Sequence, residues 1–393
     1  MGTIETERAE RVLISGASFA GLTTAIWMRR LGYGVTVVEL ASDLRKGGTP
    51  VDLHEDVLAI ADRLGVLPAI RAKALPPRAM EFDRNDGGPV WRKEAEPAAD
   101  SGVAAEYEIH RDDLLAILLA ELDEDVEMVF GDSVTDLADV PDGVRASFQH
   151  GPARDFAMVL GCDGNHSVVR RLRFGPESEY SHFLHNYFSV AVVDGGTFIP
   201  WSTTRIQNTP GRTLMLNSYI DATDVVLAFH ADEEIAYDHH DTGAQKRILQ
   251  ERFRDAGEPI AGLVERAVTA DDFYFDKLSQ IRMPHWTSGR VALIGDAGYC
   301  PSPAAGMGGS VAILGATAFH DALSDSDGDV ERAFAEYERR FRPVIESIQE
   351  RTETIGVPMI FPDTAEAIAA RDDRLFGVGG ESASSAPDAK QEA

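Results

Sequence analysis

The residues best suited to chemistry begin with Gly16-Ala17-Ser18-Phe19-Ala20-Gly21, which follows the apolar run RVLIS and opens a helical pattern. Gly16 permits a tight turn and Gly21 permits close helix–strand packing. The helix start at Ser18 and Ala20 offers free N–H groups and a positive dipole end to a diphosphate. Ser18 stands where such loops usually carry a second glycine, so the diphosphate sits slightly farther off or accepts a hydroxyl bond. Glu39 ends the next apolar run, VTVVE. A carboxylate there takes the ribose hydroxyls of an adenosine and repels a 2′-phosphate, which excludes NADP from this site. The same glutamate also fits a solvated strand end. On these residues alone the ligand is NAD or FAD.

Several elements must position them. RVLIS, the helical pattern to about Leu31 and VTVVE make a βαβ unit, with Gly32 and Gly34 breaking the helix. Helical patterns recur at 55–64 and 112–122; in the second, Leu114, Leu115, Leu118 and Leu119 share a face. AMVLGCDG (157–164) and RVALIGDA (290–297) read as buried parallel strands ending in turns. Residues 176–284 alternate like an antiparallel sheet, followed by helices near 241–256 and 258–268. A helix from about Gly309 to Leu323 comes next, then a long amphipathic helix over 329–354 containing Pro343. The nucleotide-binding part is therefore discontinuous: 1–75, 101–175 and 285–356. A second domain takes 76–100 and 176–284, and 357–393 is an extension whose last part reads as disordered. A ligand pocket between two such lobes is the default expectation.

Two later runs identify the family. One is Gly161-Cys162-Asp163-Gly164, continuing NHSVVRR; the other is Gly295-Asp296-Ala297-Gly298-Tyr299-Cys300-Pro301-Ser302-Pro303-Ala304-Ala305-Gly306-Met307-Gly308-Gly309. In this order, with the first loop, they resemble the three fingerprints of group A flavoprotein monooxygenases, the p-hydroxybenzoate hydroxylase-like enzymes, over about residues 10 to 355. The resemblance implies an α/β fold: a Rossmann-like FAD-binding domain with an inserted antiparallel-sheet substrate domain. It implies non-covalent FAD, NADH or NADPH as electron donor, and O2. A flavin C4a-hydroperoxide would then hydroxylate an aromatic or polyketide-like small molecule. Gly295 and Asp296 would meet the ribityl chain, and Pro303 and Gly306 would lie near the ring. Gly308 and Gly309 would bring backbone to it, with the following helix aimed at its pyrimidine edge. Asp163 would brace the flavin site, and Arg45 and Arg111 suit its phosphate and ribityl oxygens. Arg170 and Arg171 read equally well as a surface pair. The sequence departs from the family at Ser18, at Tyr299 (often histidine) and at Ser310 (often asparagine).

If the flavin performs the chemistry, as the resemblance implies, no dedicated nucleophile is required. A base to deprotonate a phenol could be His182, His185 or His230. The aromatic residues of 176–284 suit a planar apolar substrate or simply a core. His110 reads as a partly buried histidine, and Cys162 and Cys300 as small packing residues. Other FAD chemistries on this fold, namely Baeyer–Villiger insertion, epoxidation and halogenation, stay open, as does a non-catalytic flavin binder. Trp286 lacks the Trp-x-Trp-x-Ile-Pro setting of a halogenase, and no Tyr-x-x-x-Lys pair marks a short-chain dehydrogenase.

The net charge of -28 and pI near 4.7 oppose nucleic-acid and anionic-lipid partners. No apolar run reaches the roughly 18 residues of a membrane span. Two cysteines make neither a disulfide framework nor a zinc site, so no metal is expected. The expected setting is cytoplasmic, as monomer or homodimer.

Overall fold

A computed structural model describes residues 10–44, 47, 49–84, 90–94, 106–194, 198–219 and 222–377. Contacts divide the chain into two units. One comprises Met1–Leu75, Ala98–Leu184 and Ser279–Glu353; the other Pro76–Pro97, His185–Leu278 and Thr354–Ala393. Arg45 and Gly48, and the tail from 378 onward, lie outside the described residues.

The first unit is built on a six-stranded sheet in the order Thr287–Ser288, Val291–Leu293, Met158–Gly161, Arg11–Ser15, Gly34–Glu39, Glu127–Phe130. All neighbours are parallel except the short edge strand Thr287–Ser288. The central strands are buried on both faces, which is why they read as unbroken apolar runs rather than alternating ones. The helix Phe19–Arg30 makes the first crossover, and the chain turns at Gly32 with φ +88°. Register matters most here. Ser15 pairs with Gly161, and Gly161 with Leu293, so three parallel strands end side by side. Their three following loops leave one carboxyl edge of the sheet, where open α/β sheets bind ligands. The helix Gly308–Ser324 packs on both Phe19–Arg30 and Val330–Arg351.

Two parts of this unit go beyond the sequence reading. Val134–Val140, Gly143–Phe148 and Arg154–Phe156 form a separate three-stranded antiparallel sheet. Leu67–Lys73 forms a further helix.

The second unit is a seven-stranded sheet ordered Tyr274–Ile281, Ser181–Asp194, Ala222–His230, Arg212–Ser218, Thr203–Thr209, Ala79–Phe82, Trp91–Lys93. It is not wholly antiparallel. Ala79–Phe82 joins Thr203–Thr209 in parallel, because it comes from far earlier in the chain and no hairpin fixes its direction. Tyr187 and Phe229 are paired across two strands and stack 5.4 Å apart, with Phe275 5.7 Å from Tyr187. Arg252, from the helix Thr242–Arg252, covers Phe229. These aromatic rings are core. The helix Ala365–Gly377 packs on Thr203–Thr209, where buried Arg371 bonds Asn208 at 2.5 Å.

Candidate active site

The first glycine loop is held by contacts that tolerate no side chain. Gly16 has φ +103°, and a Cβ there would lie 2.6 Å from the carbonyl oxygen of Cys162. A Cβ on Gly21 would lie 1.9 Å from the carbonyl oxygen of Gly16. Both glycines thus allow the Phe19–Arg30 helix to start directly against the strand end. Ser18 is the N-cap of that helix: its hydroxyl accepts from the Gly21 amide at 3.2 Å and donates to Cys162 O at 2.8 Å. The hydroxyl proton is therefore committed to the neighbouring strand, leaving the small side chain with no proton to offer a ligand. Ala20 is buried, so only its backbone can face a ligand. No acidic side chain sits in the first turn, leaving the positive helix end uncompensated.

Glu39 stands beside this loop. One carboxylate oxygen accepts from the Ala17 amide at 2.8 Å and the other from Ala41 at 2.9 Å. That fixes the carboxylate beside the helix entrance. Arg111 opens the helix Arg111–Ala120; its guanidinium lies 5.6 Å from the Phe19 ring and 3.5 Å from the Gly47 carbonyl oxygen.

The third motif reaches the same place. Gly295 has φ +72°, and a Cβ there would come within 3.0 Å of the Ala20 methyl. Asp296 then opens the short helix Asp296–Tyr299. Its Oδ1 is buried with no partner, and the nearby Cys300 thiol donates to Ser279 O at 4.0 Å. Burial pushes this carboxyl up to about 6. A buried acceptor without a donor is costly and rare, so Oδ1 is free to accept a hydrogen bond from a ligand hydroxyl. Next comes a loop with unusual backbone: Ser302, buried and non-glycine, holds φ +82°, and Gly306 holds φ +66°. Such strain persists where surrounding structure fixes it, and it clusters at functional sites. Gly306 is exposed, as is Pro303; a Cβ on Gly306 or Gly308 would meet nothing within 4 Å. Gly309, in contrast, packs so closely that a Cβ would lie 2.4 Å from Val51. The helix Gly308–Ser324 also lacks acidic residues in its first turn. Ser310 donates to Asp52 O at 2.6 Å and so ties this helix start to the strand Val51–His54.

The second motif braces the other two. Asp163 accepts from the amides of Val168 and Val169 at 2.9 and 3.1 Å and from the Ser167 hydroxyl. It shapes the turn into the helix Val168–Arg173. Arg170 is not a surface residue: its side chain is 1% exposed, and it donates to Ala297 O at 2.9 Å. Arg171 is exposed. The sequence signalled Arg170 by position alone; its burial and its bond to the third motif had no sequence signal.

Some candidates fall elsewhere. The Tyr299 side chain is fully buried, its hydroxyl 2.7 Å from that of Tyr337, so only its backbone belongs to the motif loop. Cys162 is buried and burial raises its thiol well above the usual range, as expected of an inert packing residue. His182 lies 3.4 Å from Glu353. His185 and His230 stack 6.1 Å apart at one end of the second unit's sheet.

The donor set fits FAD: two glycine-shaped helix starts with positive ends, a carboxylate at Glu39 for ribose hydroxyls and an orphaned carboxylate oxygen at Asp296 for a polyol. Comparison with known proteins agrees. Residues 9–352 match the FAD binding domain family. The chain belongs to that family and is an FAD-dependent monooxygenase, an oxidoreductase. It is 38% identical to the uncharacterized protein Rv1260 of Mycobacterium tuberculosis, over 86% of this chain and 91% of that one. A protein of Legionella longbeachae named flavin-dependent monooxygenase is 29% identical over 86% and 87% of the two chains. Among solved structures, the tetracycline destructase Tet(51) superposes with a TM-score of 0.80 at 28% identity, covering 94% of this chain and 96% of its own.

Proposed function

We propose that this chain uses NADH or NADPH and O2 to hydroxylate a planar aromatic or polyketide-like small molecule, with non-covalently held FAD. When bound, FAD would accept a hydride from the nicotinamide and, once reduced, activate O2 for transfer of one oxygen atom to the substrate. The residues would share the holding. Glu39 would accept from the adenosine ribose, and the Phe19–Arg30 helix start, with Gly16, Ser18, Ala20 and Gly21, would face the diphosphate. Asp163 would keep the neighbouring turn in place, and Arg111 would supply positive charge. Asp296, beside Gly295, would accept from the ribityl hydroxyls. Pro303, Gly306, Gly308 and Gly309 would offer backbone to the ring. The positive start of the Gly308–Ser324 helix would favour negative charge on the group held there.

The observation that carries the holding is the unpartnered Asp296 oxygen at the junction of the three motifs. The substrate class rests on the likeness to a protein named for destroying tetracycline, over nearly the whole of both chains. The test is NADH and NADPH oxidation by the purified protein with a panel of phenols and polycyclic aromatic compounds. A hydroxylase accelerates oxidation with its substrate and yields a product heavier by one oxygen atom. A non-catalytic flavin binder stays flat with every compound, and a Baeyer–Villiger enzyme gives the same mass gain but as an ester or lactone, which alkaline hydrolysis cleaves.

A further inference from the structure

We propose that Glu177, which lies outside all three motifs, is a positioning residue for the cofactor. It would act through Arg170 on the Asp296 segment. The inference rests on the reading of Asp296 as a ligand of FAD.

Arg170 is a guanidinium at 1% side-chain exposure. A charge buried to that degree persists only if it is paired and hydrogen-bonded. Three elements converge on it. Its Nη1 donates to Ala297 O at 2.9 Å, and its Nη2 donates to Asn165 O and, at 3.1 Å, to Glu177 Oε2. Ala297 directly follows Asp296, so this bond fixes the backbone from which the orphaned carboxylate projects. Asn165 lies in the second motif, so one side chain ties that turn to the third motif.

Glu177 supplies the ion-pairing carboxylate. It begins the 3-10 turn Glu177–Glu179 after Pro176, and its Oε2 also lies 2.9 Å from His166 Nδ1. Its side chain is 28% exposed, against 1% for Arg170. The carboxylate therefore reaches inward from the surface to neutralise a charge that the motif residues surround with carbonyl oxygens. Carbonyls orient a guanidinium but do not balance it. Asp163 adds negative charge nearby but makes no bond to the guanidinium; without the Glu177 carboxylate on Nη2, the buried cation would draw toward water and release Ala297.

The test is FAD affinity of apoprotein, read by quenching of flavin fluorescence, for wild type, Glu177→Gln, Glu177→Asp, Asp296→Asn and the Glu177→Gln/Asp296→Asn double variant. The thermal midpoint of each apoprotein is measured in parallel. Glu177→Gln keeps the shape and an acceptor oxygen but removes the charge. It is expected to weaken FAD binding by about tenfold, with Glu177→Asp recovering part of the loss. The double variant is expected to bind no more than about twofold worse than Asp296→Asn alone, because both changes act through one carboxylate. A merely structural role predicts the opposite: losses that multiply in the double variant and track the fall in thermal midpoint. That result, or unchanged affinity in Glu177→Gln, overturns the inference. If Asp296→Asn itself binds FAD as tightly as wild type, the reading of Asp296 fails instead. Should Glu177→Gln not fold, Glu177→Asp paired with Asp296→Asn gives the same cycle.

Discussion

Asp296 carries opposing demands in one side chain. Its carboxyl is raised to about 6 because burial disfavours the charge, and one oxygen has no donor. Between the unfolded value near 4 and the folded value near 6, the native apoprotein binds more protons at this group than the unfolded chain does. Its contribution to apoprotein stability therefore falls as pH rises through that window, leaving a penalty of roughly 3 kcal/mol at neutral pH. Asp296→Asn should remove most of that penalty and weaken FAD binding at the same time. Thermal unfolding of both apoproteins from pH 4 to 7.5 checks the first part: the variant should gain on wild type as pH rises and level off above about 6. FAD titration checks the second. Wild-type affinity should also decline below about pH 6, where the protonated carboxyl becomes a poorer acceptor, and that decline should vanish in the variant. Asp296 itself was legible from the residues around it. Its missing partner was not, because that depends on how a loop folds back on itself. Ser18 shows the same limit: its position was readable, but the direction of its hydroxyl was set by Cys162, remote in sequence.

At the scale of the element, glycines separate what the chain needs from what a ligand needs. A Cβ on Gly21 would sit 1.9 Å from a backbone oxygen, so Gly21→Ala must displace the helix start. It should destabilise the apoprotein by about 3 kcal/mol or more, measured by chemical unfolding. Gly308 begins its helix in open space. Gly308→Ala should leave apoprotein stability unchanged or raise it by up to about 1 kcal/mol, since alanine restricts the unfolded chain. If backbone at Gly308 closely approaches the cofactor, that same variant should still weaken FAD binding, by about tenfold. Unchanged affinity would remove Gly308 from the site. The parallel strands and crossover helix were readable because burial on both faces leaves continuous apolar runs. The small sheet over 134–156 was not: Val134–Val140 has only its first residue buried, so its alternation is weak. Arg170 stayed undecided between site and surface for a related reason, since composition cannot reveal its bond to the Ala297 carbonyl.

For the whole molecule, the order of three motifs announced the FAD-binding fold, because register brings three distant strand ends to one sheet edge. The substrate was far less legible. Aromatic residues such as Tyr187, Phe229 and Phe275 fitted a core better than a pocket without excluding either, and the structure assigns these three to core. Turnover under 18O2 should place one labelled atom in the hydroxylated product for each NAD(P)H consumed in coupled reaction. Label arriving from water, or nicotinamide oxidation that no aromatic compound accelerates, would contradict it, and mass spectrometry of the product distinguishes these.

The most direct test of the cofactor site is equilibrium titration of folded wild-type apoprotein with FAD, followed by flavin fluorescence and visible absorbance. Saturation is expected at one FAD per chain, with a yellow protein that releases its flavin intact on denaturation. Folded protein that stays colourless in excess FAD would contradict it.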